Sequence, residues 1–369
     1  MAYRTEHENR ALRIAVDSNV NARDHARHLR SPSKFEPSCA DSTLADQIVH
    51  DSLWEPLEEL RQRPSKHFRA QLIALGWRAW RGEETLAPET SRSLEDFIED
   101  LHLGSLIVDD VQDHSLVRRG GPCLHRLIGT PLAINAGNAI YFKAFQRLEQ
   151  AQIAPAIELG IHRQAHATLI EAHEGQALDL SLRAQDLSAE QVQELCPKVS
   201  RLKTGALMAL AVEVGARAAG ATNLHQLESL RSIVSELGVT LQRFDDLGNL
   251  LPHFAGEKAF EDVGAGRLCW PWAFAAETGQ LDRLNSCVAK LPEPGPLQNF
   301  VFETNFVFNA ASRAFDLWQD SLAEYIENQA SAPDHEKIPY AYQLCRELQD
   351  LAQKVSCSYG FKSLSNITT

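Results

Sequence analysis

The sequence lacks the cysteine patterns that mark zinc sites and disulfide-rich domains. Its seven cysteines are odd in number and scattered over 369 residues. No two of them have the Cys-x-x-Cys spacing of a zinc site, and their arrangement is not that of a disulfide framework. We interpret them as reduced thiols of a cytosolic protein.

An excess of basic residues is also missing. The chain carries 36 Lys and Arg against 49 Asp and Glu, for a net charge of −13. A nucleic-acid-binding surface needs clustered Lys and Arg for its phosphate contacts, so this balance argues against a nucleic-acid partner. It does not exclude a small phosphate-bearing substrate, because a few local cations and a bound metal outweigh a distant negative field.

Long apolar runs are absent as well. No stretch of 18 or more apolar residues is available to span a membrane, and the first residues lack the apolar segment of a secretion signal. We therefore expect a cytoplasmic protein without a transmembrane segment.

The polarity and periodicity of the sequence change near residue 42. Residues 1–42 are polar, mixed in charge and poorly periodic, and we interpret them as a mobile extension. From residue 43 apolar residues recur at spacings of three and four, which predicts helices. With neither a solenoid repeat nor alternating strands and helices, we expect one all-α domain over 43–357 and a tail over 358–369. The predicted helices span 43–61, 66–82, 91–113, 129–149, 154–181, 189–219, 224–250, 269–277, 297–327 and 336–356.

The first of two acidic motifs follows the apolar run Leu106-Ile107-Val108. Asp109 and Asp113 are four residues apart, so on a helix they lie one turn apart on the same face, and Asp110 adds a third charge. Burying such carboxylates unpaired is costly. Mg²⁺ prefers oxygen ligands of this kind and also takes oxygens from a substrate phosphate.

The second motif repeats the arrangement at the end of another apolar run. Asp245 and Asp246 are followed by Asn249, four residues after Asp245. A single acidic helix end is more often a solvated surface, but two such helices facing each other predict a site for several Mg²⁺ ions around one diphosphate. We favour this interpretation over two unrelated acidic patches.

Basic residues alternate with the two motifs along the chain. Guanidinium groups bind phosphate oxygens in a bidentate manner, so their positions indicate a diphosphate site, although any one of them alone is most often a surface cation. The residues are Lys66, Arg69, Arg118, Arg119, Lys203, Lys258 and Arg267.

Residues 101–113, with Arg118-Arg119-Gly120-Gly121-Pro122 after them, resemble the first aspartate-rich region of trans-isoprenyl diphosphate synthases. Further segments follow in the family order: 173–180, 203–205, 242–249, Glu261-Asp262 and Gly266-Arg267. The Asp-Asp-Leu-Gly-Asn form of the second motif is most similar to that of geranylgeranyl diphosphate synthases. The resemblance covers about residues 45–350 and implies a single-domain isoprenoid synthase-type helical bundle around a central apolar cavity.

The resemblance also implies a role for each matching residue. The catalytic set is Asp109, Asp110, Asp113, Lys203, Thr204, Gln242 and Asp245. Mg²⁺, with three ions per site, would be bound by Asp109, Asp113, Asp245 and Asn249. The allylic diphosphate would be held by Arg118, Lys203 and Lys258, with Thr204 and Gln242 beside the developing allylic cation. The second substrate, isopentenyl diphosphate, would be bound by Lys66, Arg69, His102 and Arg119.

Two small residues before the first motif bear on product length. In this family the floor of the apolar tunnel sets the chain length, and farnesyl-forming enzymes often carry aromatics where this chain has Gly104 and Ser105. The resemblance therefore implies an open tunnel and a product longer than fifteen carbons, namely geranylgeranyl diphosphate. Tyr141 or Phe142 is the alternative floor, in which case farnesyl diphosphate would be the product.

Two further alternatives stay open. A class I terpene cyclase of the same fold would keep the metal residues without needing the isopentenyl diphosphate site. A non-catalytic subunit of a heteromeric synthase would tend to lose acidic ligands, which this chain retains. By resemblance we expect a homodimer.

Overall fold

The computed structural model describes residues 43–65, 68–256, 259–359 and 361, and this part of the chain is almost entirely helical. The predicted all-α class is thereby confirmed. The helices are α1 (Leu44–Val49), α2 (Glu55–Gln62), α3 (Phe68–Arg81), α4 (Pro88–Gln112), α5 (Leu124–Ile128), α6 (Thr130–Glu149), α7 (Pro155–Ser181), α8 (Ala189–Ser200), α9 (Ala206–Ala218), α10 (Leu224–Gly248), α11 (Pro252–Ala255), α12 (Glu261–Gly264), α13 (Trp270–Glu277), α14 (Leu281–Val288), α15 (Gly295–Glu303), α16 (Phe306–Ser331) and α17 (Ala341–Ser358). Two π turns, His50–Trp54 and Arg201–Gly205, and a 3₁₀ turn, Ala184–Asp186, join some of them, and a hairpin pairs strand β1 (Val117–Arg118) with β2 (Gly121–Pro122).

The described residues fall into two compact units that divide after Glu58. The described part of the first unit begins at Thr43, whose hydroxyl accepts a hydrogen bond from the backbone N–H of Asp46 at 3.2 Å. The Asp46 carboxylate accepts in return from the Thr43 backbone N–H at 2.8 Å, which forms a capping box. The predicted extension 1–42 lies outside the described residues.

In the second unit, most helix ends follow local signals in the sequence. Ser188 and Gln191 form a capping box at the start of α8, and Asn223 caps α10. Pro88 occupies the first position of α4, where its missing N–H costs nothing. The predicted helix 297–327 is wrong in one respect, because Asn305 adopts a left-handed conformation (φ 50°) and separates α15 from α16.

Two apolar clusters form the core of this unit. One collects side chains of α3, α4, α9, α10 and α17, including Phe97 and Leu210. The other collects α8 and α13 to α16 around Trp272 and Phe300. Helix α10 contributes to both, so the helix that carries the second acidic motif is packed on two sides. No described helix has the length and apolarity needed to cross a membrane.

Candidate active site

Both acidic motifs open into one cavity of about 750 Å³ in the second unit. Its walls come from α4, α7, the 201–205 π turn, α10 and residues 261–269. The predicted site residues that line it are Arg69, His102, Ser105, Asp109, Asp113, Arg118, Arg119, Lys203, Thr204, Gln242, Asp245 and Asn249. Lys66 and Lys258 lie outside the described residues. The sequence pattern therefore located most of this wall, while the role of each residue stays a prediction.

Each acidic motif lies in the last turn of a long helix. Asp109 belongs to the final turn of α4, whose C-cap is Asp113, and Asp245 belongs to the final turn of α10, whose C-cap is Asn249. The C-terminus of a helix carries partial negative charge, which disfavours a carboxylate there. Both motifs therefore need compensating positive charge within the cavity.

Protein groups supply part of this compensation at the first motif. Asp109 Oδ1 accepts a hydrogen bond from Gln176 Nε2 at 2.8 Å and lies 3.7 Å from Lys203 Nζ. Asp113 forms an ion pair with Arg267. These partners come from α7, the 201–205 π turn and the 261–269 segment, so the carboxylates join four segments of the chain.

Asp110 differs from its two neighbours because it does not line the cavity. Its side chain is only 1% exposed, and Arg118 binds it through Nη2 at 2.5 Å and Nε at 2.9 Å. One residue along a helix turns a side chain about 100° away, which separates Asp110 from the face that Asp109 shares with Asp113. Asp110 therefore contacts Arg118 instead of lining the cavity, and its expected catalytic role stays a prediction.

The 201–205 π turn directs Lys203 and Thr204 into the cavity. Such turns inside helices occur frequently at functional sites. Lys203 Nζ lies 2.6 Å from Asp179 Oδ2. Desolvation lowers the pKa of Lys203, but the charges of Asp179 and Asp109 outweigh this effect and leave the pKa raised. The ammonium group is therefore charged at neutral pH.

A chain of hydrogen bonds runs from Thr204 to the second motif. The Thr204 hydroxyl donates to Gln242 Oε1 at 2.8 Å, and Gln242 Nε2 donates to Asp246 Oδ1 at 2.7 Å. The backbone N–H of Trp270 donates to Asp246 Oδ2 at 2.9 Å. Desolvation, followed by the charge of Asp262, raises the pKa of Asp246. This chain fixes the amide of Gln242 at the cavity wall.

Two residues that had no assigned role complete the second motif. The amide of Asn249 donates to the carboxylate of Asp262, whose pKa is raised to about 6 by desolvation and then by the charge of Asp245. The Tyr359 hydroxyl is hydrogen-bonded to Asp245, and desolvation above all raises its pKa. Asp262 thus places a carboxylate next to the neutral Asn249.

A second group of basic side chains occupies another part of the wall. Desolvation lowers the pKa of Arg69 to about 10, although the charge of Glu99 opposes it. Desolvation, and then the charges of Arg69 and Arg119, lowers the pKa of His102 well below its usual value. Arg119 Nη2 lies 4.0 Å from Glu99 Oε2. This region is suitable for an anion, because it places two guanidinium groups and a neutral imidazole beside a single carboxylate.

Gly104 does not line the cavity itself, and its expected role in the tunnel stays a prediction. A Cβ at this position would lie 3.0 Å from the carbonyl oxygen of Gly137 and 3.1 Å from Ile140 Cγ2, so the glycine allows α4 to pack closely against α6. Ser105 does line the cavity, as does Tyr141. Phe142 is 75% exposed and therefore does not supply a floor in its own chain.

The cavity residues that sequence reasoning had not singled out had weak signals or none. Gln176 and Asp179 share a face of α7, and they belong to a segment that was matched to the family without a role for either. Asp262 was matched in the same way. Tyr359 follows the predicted end of the domain at residue 357, so no pattern pointed to it.

The carboxylates of the two motifs do not form a tight preformed metal cluster. Across the described ranges, the one group of three potential ligand atoms that all lie within 4.8 Å of one another is His50, Asp51 and Glu55, which are exposed. The motif carboxylates are instead distributed along the cavity wall. Such spacing suits ions that also take oxygens from a bound diphosphate.

Comparison with known proteins identifies relatives of this chain. The family model described as Polyprenyl synthetase matches residues 50–298. A copalyl diphosphate synthase of Talaromyces verruculosus is 32% identical over 269 residues, covering 72% of this chain and 25% of that protein. Geranylgeranyl pyrophosphate synthase 1 of Zymoseptoria tritici (strain CBS 115943 / IPO323) is 30% identical over 239 residues, covering 62% of this chain and 66% of that protein. The chain therefore spans a quarter of the first relative and just under two thirds of the second.

A solved structure supports the same assignment at the level of the fold. The crystal structure of a geranylgeranyl pyrophosphate synthase matches with a TM-score of 0.67 at 18% identity, covering 83% of this chain and 92% of that one. The predicted isoprenoid synthase-type helical fold is thereby confirmed.

Proposed function

The chain belongs to the polyprenyl synthetase family, and we propose that it condenses an allylic diphosphate with isopentenyl diphosphate. One observation carries the proposal. Carboxylates from the ends of two helices, represented by Asp109 and Asp245, face the same cavity as Lys203, Arg69 and Arg119. This arrangement combines ligands for a divalent cation with separate cationic groups for two diphosphates.

We propose Mg²⁺ as the metal, held by Asp109, Asp113 and Asp245, with Asn249 and its neighbour Asp262 near the third carboxylate. Hard carboxylate oxygens at helix ends fit this ion. When bound, Mg²⁺ supplies positive charge that stabilises the departing diphosphate. Three ions per site is part of the proposal.

The side chains at the first substrate site hold the allylic diphosphate while its C–O bond breaks. The electron pair leaves with the diphosphate, which is bound by charged Lys203 and by Arg118, whose orientation Asp110 fixes. Preorganised positive charge at a leaving group is usually the largest catalytic contribution. Thr204 and Gln242 present oxygen dipoles beside the allylic cation, fixed by their hydrogen bond. Lys258 remains assigned to this site by sequence alone.

The second substrate supplies the electrons for the new C–C bond. Isopentenyl diphosphate is bound by Arg69, Arg119 and neutral His102, and by Lys66 on sequence evidence alone. Its double bond attacks the cation, and loss of a proton then restores an alkene, with the released diphosphate as the acceptor. His102 takes part as a hydrogen-bonding group rather than as a cation, because its pKa is lowered.

We further propose geranylgeranyl diphosphate as the product. Ser105 lines the wall one turn before Asp109, and Tyr141 also lines it, with its ring 6.1 Å from that of His173. Because Gly104 and Phe142 do not face the cavity, Tyr141 is the better candidate for the floor. Incubation with farnesyl and isopentenyl diphosphates, followed by chromatography of the products, should give a twenty-carbon product. If shorter primers yield only farnesyl diphosphate, the assigned length is wrong.

A class I terpene cyclase is the main alternative. Arg69, His102 and Arg119 all line the cavity, and a cyclase has no need of this second anion site. Release of a hydrocarbon without consumption of isopentenyl diphosphate would favour the cyclase. The retained carboxylates argue against a non-catalytic subunit of a heteromeric synthase. Activity that appeared only after mixing with a partner chain would favour that alternative.

We propose that the protein is a homodimer formed through α6 and α7. Large apolar side chains on these two helices are exposed in the single chain: Leu132, Ile134, Phe142, Leu159 and Ile170. Exposed apolar side chains that are grouped in one patch mark interaction sites, and the proposal is that these five form one. The cytoplasmic location stays a prediction from the sequence.

A further inference from the structure

The hairpin Val117–Pro122 carries two of the cavity arginines on a strained turn. Its two-residue loop, Arg119-Gly120, has positive φ angles of 50° and 76°, as a type I′ turn requires. Arginine seldom adopts this conformation. The hairpin pairs only two residues of each strand, Val117 with Pro122 and Arg118 with Gly121. A short two-stranded hairpin is at best marginally stable without external support.

Arg63 supplies that support from the segment that follows α2. Its Nη1 donates to the carbonyl oxygens of Arg118 at 2.9 Å and Pro122 at 2.8 Å, one on each strand. Nε and Nη2 bind the carboxylate of Glu59 at 3.0 and 2.7 Å, which fixes the guanidinium on its own side. The Arg63 side chain is only 9% exposed.

The contact is close enough to constrain the residue types on both sides. A Cβ at Gly121 would lie 2.8 Å from Arg63 Cζ, so the guanidinium lies directly against this glycine. Arg63 itself does not line the cavity in the described structure. It therefore acts on the cavity only through the hairpin.

The consequence for the site concerns Arg119. Arg118 is held by Asp110 through its side chain, whereas the ion pair of Arg119 within the described residues is a 4.0 Å contact with Glu99. The position of the Arg119 guanidinium thus depends on the backbone on either side of it. Arg63 binds that backbone at Arg118 and again at Pro122.

We propose that Arg63 is a positioning residue that holds the 117–122 hairpin so that Arg119 faces the second diphosphate. This inference rests on the proposed function and adds a residue to which no motif pointed. A displacement of Arg119 weakens binding of isopentenyl diphosphate more than it slows the bond-forming step.

The test compares Arg63→Ala, Arg63→Lys, Arg119→Ala and the double variant R63A/R119A with the wild type. We expect R63A to raise KM for isopentenyl diphosphate about tenfold with kcat nearly unchanged. Lysine can pair with Glu59 but cannot bridge two carbonyls in the same way, so R63K gives a smaller increase. Because Arg63 acts through Arg119, the double variant should have the same KM as R119A.

Arg313→Ala serves as the matched control, since Arg313 pairs with Glu277 on the surface at 2.9 Å and should leave both constants unchanged. Additive effects in the double variant, or an unchanged KM in R63A, would overturn the inference. If R63A does not fold, R63K and its combination with R119A decide in the same way.

Hydrogen exchange separates this inference from the proposed function. The Cys123 amide donates to Leu116 O at 3.0 Å at the base of the hairpin, and it should exchange faster in R63A than in the wild type or R313A. Unchanged exchange contradicts the inference even if the enzyme is active. A wild type that consumes no isopentenyl diphosphate contradicts the proposed function, whatever the exchange result.

Discussion

At the scale of single residues, the cavity balances opposite charges that come from different parts of the chain. Asp109, Asp113 and Asp179 are paired with Lys203 and Arg267. Under the proposed function, Mg²⁺ would take the place of Lys203 and Arg267 beside the carboxylates. The diphosphate would take the place of the carboxylates beside these two cations.

Removal of a motif carboxylate is expected to abolish most of the activity. Asp109→Asn keeps the size of the side chain but removes the charge that faces Lys203. We expect kcat for condensation to fall by about 10³ or more, the scale of a lost electrostatic contribution at a leaving group. Steady-state assays at saturating substrates and Mg²⁺ measure this. Asp186→Asn, at an exposed position, is the control, and a D109N variant as active as D186N would contradict the assignment.

A pH dependence of stability is expected from His102. Its folded-state pKa lies below the unfolded value of 6.5, so the stabilisation is complete above pH 6.5 and is lost as the pH falls below it. The loss is at most about 1.4 kcal/mol for each pH unit. Urea unfolding at pH 7.5 and pH 5.5, at one protein concentration, should show a smaller difference for His102→Asn than for the wild type.

The exposed His225 offers the matched control for this measurement. His225→Asn should reproduce the wild-type pH dependence. If H102N and H225N behave alike, desolvation of His102 does not contribute to stability.

At the scale of helices, the core depends on very close contact between α3 and α9. A Cβ at Gly215 would overlap the carbonyl oxygen of Ile73, and a Cβ at Gly76 would overlap that of Val212. The two backbones therefore touch through paired glycines. Helix α9 lies next to α10, so this contact also fixes the helix that carries the second motif.

Gly215→Ala is expected to destabilise the protein strongly. The added methyl group forces α3 and α9 apart, and overpacking of this kind costs about 3 kcal/mol. Urea unfolding measures the loss. Gly295→Ala is the control, because a Cβ there meets no atom within 4 Å and the change should stay below about 1 kcal/mol. Equal effects of G215A and G295A would show that the contact is not tight.

Helices could be predicted from the sequence better than the short elements between them. The apolar spacing located α4, α7 and α10 almost to their ends, because each buries one periodic face. The π turn at 201–205 and the hairpin at 117–122 were not predicted. The hairpin depends on contacts with a residue distant in the sequence, Arg63. The break at Asn305 has no glycine or proline to signal it.

The sequence predicted those site residues whose spacing along one helix is itself characteristic of a metal-binding motif. Asp109 and Asp113 follow from their separation of four residues. The packing of Gly104 against α6 and the pairing of Asp110 with Arg118 could not be predicted, because they depend on how α4 is rotated against α6. Tyr359 reaches Asp245 from beyond the periodic part of the chain.

At the scale of the whole molecule, the exposed apolar side chains of α6 and α7 are the basis of the proposed dimer. Phe142 and Ile170 are 75% and 63% exposed, which is unfavourable for two large apolar residues on neighbouring helices. A second copy that covers them would also stabilise the helices that form one wall of the cavity.

If the protein forms the proposed dimer, Phe142→Glu is expected to yield a monomer, because burying an unpaired carboxylate at an interface is costly. Sedimentation equilibrium at several protein concentrations reports the mass. Phe302→Glu is the control, since Phe302 is 88% exposed on α15 and outside the proposed interface. A dimer that persists in F142E, or dissociates equally in F302E, would contradict the proposed interface.

The central claim is that this cavity joins isopentenyl diphosphate to an allylic diphosphate with the help of Mg²⁺. Its most direct test follows labelled isopentenyl diphosphate into product with farnesyl diphosphate as primer, with Mg²⁺ and with a chelator. We predict release of one diphosphate for each isopentenyl unit consumed, formation of a twenty-carbon diphosphate, and no reaction with the chelator. Release of diphosphate from the allylic substrate without consumption of isopentenyl diphosphate would contradict the claim.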